Sequence, residues 1–120
     1  MSSLTVTHLG TYGDYIGYLV RVESGAFSGE SSFCISVDWL EDGIAALREL
    51  HRSLHGSYTF EDYDSDDFIT FEMQKYGHML ISGQVGGSHR PQWLKFEMLT
   101  DQAELPKIIN DYRQVLKGQA

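Results

Sequence analysis

The stretch from Asp67 to Leu99, DFITFEMQKYGHMLISGQVGGSHRPQWLKFEML, constrains this chain more than any other. It holds three runs of apolar/polar alternation, and a period of two is the pattern of a half-buried strand. In the first, Ile69, Phe71 and Met73 point one way and Thr70, Glu72 and Gln74 the other. In the second, Met79, Ile81 and Val85 alternate with Leu80, Ser82 and Gln84; in the third, Leu94, Phe96 and Met98 alternate with Trp93, Lys95 and Glu97. Lys75-Tyr76-Gly77-His78 reads as a tight hairpin, because Gly77 takes positive φ without penalty. Gly86 to Pro91 reads as a longer loop, closed by a residue with no N–H to give a ladder. The expectation is an antiparallel meander with one apolar and one polar face. The rest of the chain must cover the apolar face or extend the sheet.

Upstream, Leu4, Val6 and His8 suggest a short edge strand over residues 3–9, and Gly10 to Asp14 is turn chemistry. Ile16, Tyr18, Val20 and Val22 mark a stronger strand, Phe27 to Gly29 a bulge or turn, and Phe33, Ile35 and Val37 a third strand. Ser57 to Phe60 opens another. The period changes at Asp38. Asp38 and Glu41 fit a capping box, and Leu40, Ile44, Leu47, Leu50 and Leu54 recur at helical spacing toward a stop at Gly56. Leu105, Ile108, Ile109, Tyr112 and Leu116 do the same, with Pro106 in the first turn and Gly118 past the end. The chain therefore reads as one α+β domain over residues 1–120. It carries a mostly antiparallel sheet of about six to seven strands, with amphipathic helices near 39–54 and 104–117 on one face.

Charge narrows the function. Seventeen acidic against nine basic residues leave a net −8. Direct contact with nucleic acid needs clustered Lys and Arg and is disfavoured, whereas a basic protein partner is compatible. No basic-then-apolar leader and no apolar run of about 20 residues occurs, so neither a signal peptide nor a membrane helix is read. Cys34 is the one cysteine, which rules out an internal disulfide and a Cys-based zinc site and suggests a reducing, cytoplasmic home.

Five of the seven residues from Glu61 to Asp67 are acidic: Glu61, Asp62, Asp64, Asp66 and Asp67. Counted as a calcium loop from Asp62, the run has Asp67 where glycine belongs and Met73 where the bidentate glutamate belongs, so it fails at both places. A solvated loop is the plain reading, since adjacent carboxylates repel; a recognition loop for a basic partner is the sharper one. His51 and His55 share a helix face, but Arg52 stands where a zinc-protease helix carries glutamate, so they read as surface histidines. His78 and His89 fall in loops at opposite ends of the meander. Cys34 lacks the electropositive neighbours a nucleophile needs. Gly83 to Gly87 is followed by no helix that could offer its N-terminus to an anion, so its glycines read as turn residues. The polar sheet face, with Glu72, Trp93 and Glu97, is either an open binding surface or is covered by another segment.

The segment Tyr76 to Gly87, the strand Trp93-Leu94-Lys95-Phe96-Glu97 and the helix start Leu105-Pro106 resemble the WapI-type immunity proteins and related small bacterial families. Glu23 to Gly29 and Trp39-Leu40-Glu41 are consistent with this, so the resemblance spans most of the chain. It implies a cytoplasmic antitoxin that binds and blocks the toxin domain of a contact-dependent, cell-wall-associated protein. Such toxins include RNA-cleaving domains, which tend to be basic. The resemblance carries no catalytic signature and transfers no functional residue.

The leading expectation is a non-enzymatic, cofactor-free protein-binding module that uses Glu61, Asp62, Asp64, Asp66, Asp67, Glu72, Trp93 and Glu97 against a basic toxin domain. The alternatives are a ligand-binding or enzymatic domain with a pocket between helices and sheet, and self-association through an edge strand.

Overall fold

Burial follows the alternation closely. The computed structural model describes residues 2–87 and 91–118, and within them the chain forms seven strands and two helices. Strands β1 (Ser2–Tyr12), β2 (Tyr15–Ser24) and β3 (Phe27–Ser36) make an antiparallel sheet in the order β1-β2-β3. Helix α1 (Val37–Ser53) follows, and β4 (Ser57–Glu61), β5 (Phe68–Met73), β6 (His78–Val85) and β7 (Leu94–Asp101) make a second antiparallel sheet in chain order. Helix α2 (Leu105–Leu116) closes the fold. The α+β class and the β5-β6-β7 meander agree with the sequence. The strands divide into two sheets because β3 runs straight into α1, which carries the chain away before β4 begins.

Several boundaries differ from expectation for identifiable reasons. Residues 10–12 continue β1, and the turn shrinks to Gly13-Asp14 between the paired Tyr12 and Tyr15. Gly13, at the first central position of this two-residue loop, has φ 64°, as a type II′ hairpin requires. Leu9 is left out of the register between His8 and Gly10, so the irregularity sits in β1. Phe27 to Gly29 are not a bulge but the paired start of β3, opposite Val22 to Ser24. At Gly29 β3 passes close over the second sheet: a methyl group there would stand 3.1 Å from Cγ2 of Val85, a tight contact. Helix α1 is capped by Ser36, whose hydroxyl accepts from the Trp39 backbone N–H at 3.2 Å, and not by Asp38. It ends two residues before Gly56, at Leu54, which takes the left-handed conformation with φ 57°. Gly83 lies inside β6, not in a turn; Gly86 and Gly87 supply the positive φ. His89, and with it the middle of the 86–91 loop, lies outside the described residues.

The apolar faces of both sheets and one stripe of each helix share a single core. Helix α2 lies along β1 and α1, and α1 also meets β4 and β3. Aromatic rings occupy the junction. Phe60 of β4 stacks on Tyr112 of α2 with centroids 4.2 Å apart, and Tyr18 of β2 meets Tyr112 edge-on at 5.7 Å. The interior is thus filled where the helices meet the sheets. An opening of about 340 Å³ lies between α2 and the sheet ends at Leu4, Met98 and Ile108, and Glu104 is its one titratable residue.

Candidate protein-binding surface

The acidic run forms the β4–β5 hairpin loop, and its carboxylates divide by location. Asp62 and Asp67 are 8% and 2% exposed, which corrects the solvated-loop reading for these two. The Asp62 carboxylate accepts the Cys34 backbone N–H at 2.8 Å, the Ser65 hydroxyl at 2.6 Å and the Asp64 N–H at 3.3 Å. Asp67 accepts the Ser31 hydroxyl at 2.7 Å, the Gly87 N–H at 2.8 Å and the Gln84 side-chain amide at 3.2 Å. Fixed dipoles thus replace water around both charges. Short Asp and Ser side chains favour such local bonds, and Ser65 also accepts from the Asp67 N–H at 3.1 Å. The Tyr63 N–H donates to the Cys34 carbonyl at 2.9 Å, so the hairpin covers the outer edge of β3 without adding a strand.

Glu61, Tyr63, Asp64 and Asp66 face outward from this anchored loop. Glu61 also belongs to the outer face of the second sheet. Pairing places Glu61, Phe68, Gln84 and Lys95 in one row, Thr59, Thr70, Ser82 and Glu97 in the next, and Ser57, Glu72, Leu80 and Leu99 in the third. Glu61, Glu72 and Glu97 therefore share one face and all three are exposed. Asp67 of the hairpin closes over the Gln84 corner of that face, while Thr59, Glu72, Lys95, Glu97 and Leu99 are exposed. Gln84, expected there as a solvated residue, is 4% exposed because it turns in to Asp67. Trp93 stands half-exposed just ahead of β7 and is not part of the ladder.

Sequence reasoning left out the aromatic part of this surface. Trp39 in the first turn of α1, Tyr15 at the start of β2 and Tyr63 on the hairpin are all exposed and line one hollow of about 350 Å³ with Ser36, Glu61 and Asp62. The Tyr15 and Tyr63 rings lie 5.4 Å apart at 45°. A second hollow of about 290 Å³ adjoins it across Trp39 and Glu61, and contains Asp42 and Tyr58. A groove of about 740 Å³ runs along the far side of the hairpin past Glu30, Asp64 and Tyr12. Among the described residues, none that lines these three openings is Lys, Arg or His. Trp39 sits on the flank of the buried stripe, four residues before Gly43, so helical spacing alone did not announce its exposure.

The electrostatics disfavour nucleophilic chemistry here. Partial burial pushes the Cys34 thiol up, and the Asp64 and Asp62 charges add to this. The Tyr15 phenol is also raised, chiefly by Tyr63, so it keeps its proton at neutral pH. His51 is exposed on α1 but His55 lies beyond its end, so the two do not share a helix face, and among the described residues no three His, Cys, Asp or Glu side chains gather as a metal site. No helix among the described residues is long and apolar enough to cross a membrane.

An acidic, aromatic-studded surface held on a packed core, with its one cysteine set against ionisation, has the character of a binding module. Comparison with curated proteins yields no match. The sequence model of the immunity protein WapI-like family does match, over residues 7–118, from within β1 to just beyond α2. That span takes in every element that positions the hairpin, the outer sheet face and the aromatic hollow, and the chain belongs to the WapI-like immunity protein family.

Proposed function

We propose that this protein neutralises a bacterial toxin by binding it, acting without catalysis and in the cytoplasm, and that the toxin domain it covers is basic, as RNA-cleaving domains tend to be. Family membership supports the toxin-neutralising role. One structural observation supports the character of the partner: around the β4–β5 hairpin the openings are lined by carboxylates and aromatic rings, with no cationic side chain among the described residues. Such a surface attracts a positive partner over a Debye length of about 8 Å at physiological salt and repels nucleic acid. Within the expected contact set, Glu61, Asp64 and Asp66 with Glu72, Glu97 and Trp93 are placed to reach a partner. Asp62 and Asp67 act behind them, by shaping the loop that presents the others.

The test is association kinetics with a cognate toxin domain. The wild-type association rate should fall about tenfold or more between 50 and 500 mM salt. The triple variant E61Q/D64N/D66N should associate several-fold more slowly at low salt, with its melting temperature within a few degrees of wild type. A salt-independent rate, or a triple variant as fast as wild type, would refute the acidic surface as the contact.

A further inference from the structure

Building on the toxin-binding reading, we propose that the hollow formed by Tyr15, Trp39, Tyr63 and Glu61 is a receptor for one arginine side chain of the partner, and that this arginine anchors the complex. Three observations converge. The first is the aromatic content. Exposed large aromatics on a folded domain are normally scattered, but here Trp39, Tyr15 and Tyr63 are 59%, 37% and 71% exposed and come from three separate elements to line one opening. Their ring faces are electron-rich and attract cations.

The second is the state of the carboxylates. Asp62 is occupied by Cys34, Ser65 and Asp64. Among the described residues the Glu61 side chain has neither a hydrogen-bond nor an ion-pair partner, whereas the ion pairs present join Arg21 to Glu23 and Glu30, Arg52 to Glu49, and Lys107 to Asp111. An apolar occupant would desolvate Glu61 without compensating it, and an anion would be repelled. A cation satisfies both the rings and the carboxylate.

The third is shape. The hollow is about 350 Å³, near the small end of ligand-sized pockets and roomy enough for one long side chain. The floor is pre-set: Ser36 caps α1 through the Trp39 N–H, so the indole is carried on a fixed turn. Among cations a guanidinium is favoured over an ammonium. It is planar, it stacks on an aromatic face, and its fork of N–H donors matches a carboxylate.

The two tryptophans, Trp39 and Trp93, make the proposal directly readable, since Trp93 is not among the residues lining the hollow. Their indole N–H signals, assigned with W93F, are followed by NMR while N-acetyl-arginine amide is titrated into the full chain. The Trp39 signal should move saturably, with a dissociation constant on the order of millimolar to tens of millimolar, while the Trp93 signal stays in place. E61Q should weaken the response about threefold or more, and the uncharged N-acetyl-citrulline amide should leave both signals still. An unmoved Trp39 signal, or citrulline or lysine probes matching arginine, would overturn the assignment. A second arm uses the cognate toxin domain: W39A/Y63A, with its melting temperature checked, should lose about a hundredfold in affinity. Undiminished binding by that variant overturns the anchor while leaving toxin binding intact. Failure of the wild type to bind the toxin overturns the toxin-binding reading instead, and the arginine titration, which needs no toxin, then decides the hollow.

Discussion

Asp62 and Cys34 are joined across the two sheets: the carboxylate of the hairpin residue accepts the backbone N–H of the strand residue at 2.8 Å. The same carboxylate takes the Ser65 hydroxyl, so it orders its own loop and docks that loop on the edge of β3. Removing it strands a part-buried amide and a hydroxyl. Hydrogen bonds to charged groups contribute about 1.5–3 kcal/mol, so D62A should lower unfolding stability by about 2–3 kcal/mol. D64N, at an exposed position a few ångströms away, should stay within about 0.5 kcal/mol of wild type. Urea unfolding of the two variants separates structural from surface acids. Equal midpoints would show that the Asp62 bonds contribute nothing net.

Gly43 is the point where α1 touches β4. A methyl group there would stand 2.3 Å from Cε1 of Phe60, and that ring cannot retreat because Tyr112 is stacked behind it at 4.2 Å. Replacing a helical glycine by alanine normally gains about 1 kcal/mol of propensity. Overpacking a closed core costs about 1–3 kcal/mol, and here the obstruction is a fully buried ring, so the steric term should win. G43A is expected to be less stable than wild type, and F60L should recover part of the loss in the double variant. A more stable G43A in thermal unfolding would contradict the packing described.

Which parts of this were legible in the sequence follows from the range of the forces involved. Alternation at Ile69, Phe71, Met79, Ile81, Phe96 and Met98 reports a local period, and all six are buried as expected. The break into two sheets was not legible, because alternation marks each strand but not its partner, and that β3 pairs with β2 alone among the described residues appears only in the fold. The division of the acidic run was hidden for a different reason. Asp67 draws its donors from Ser31, Gln84 and Gly87, which only the folded chain brings together. Position-by-position reading sees repelling carboxylates; tertiary donors turn two of them into anchors. The aromatic hollow likewise needs Tyr15, Trp39 and Tyr63, which only the fold brings together from distant positions.

Cys34 offers a chemical check on the field of the hairpin. Its thiol is pushed up first by burial and then by the Asp64 and Asp62 charges, so at pH 8 less of it is thiolate than in an open chain. Alkylation by iodoacetamide should be slower than that of the urea-unfolded protein, and its pH–rate midpoint should lie higher. D64N removes the larger of the two charge effects and should shift the midpoint down. Alkylation as fast as in the unfolded chain, or a midpoint indifferent to D64N, would show that the acidic loop does not act on the thiol.

Tyr18 and Tyr112 supply the strongest pH dependence. Both rings are fully buried, their planes cross at 76°, and among the described residues neither hydroxyl has a well-formed hydrogen bond. Burial raises both phenols above their ordinary value; beside Tyr18, the neighbouring Tyr112 adds to the rise. A group whose folded pKa exceeds its unfolded one contributes stability that is complete below the unfolded value. Here that value is about 10, and the contribution is lost as pH climbs from there toward the folded pKa. The protein should therefore be insensitive to these residues at pH 7–9 and should unfold progressively in stronger alkali. The double variant Y18F/Y112F removes two unsatisfied hydroxyls while keeping both rings. It should match or exceed wild-type stability at pH 7, since deleting both polar partners is close to neutral, and should hold its fold to higher pH. Circular dichroism during an alkaline titration checks both parts. A double variant that unfolds at the same alkaline midpoint would place the titration elsewhere, and one less stable at pH 7 by more than about 1 kcal/mol would mean that the two hydroxyls satisfy one another in the core.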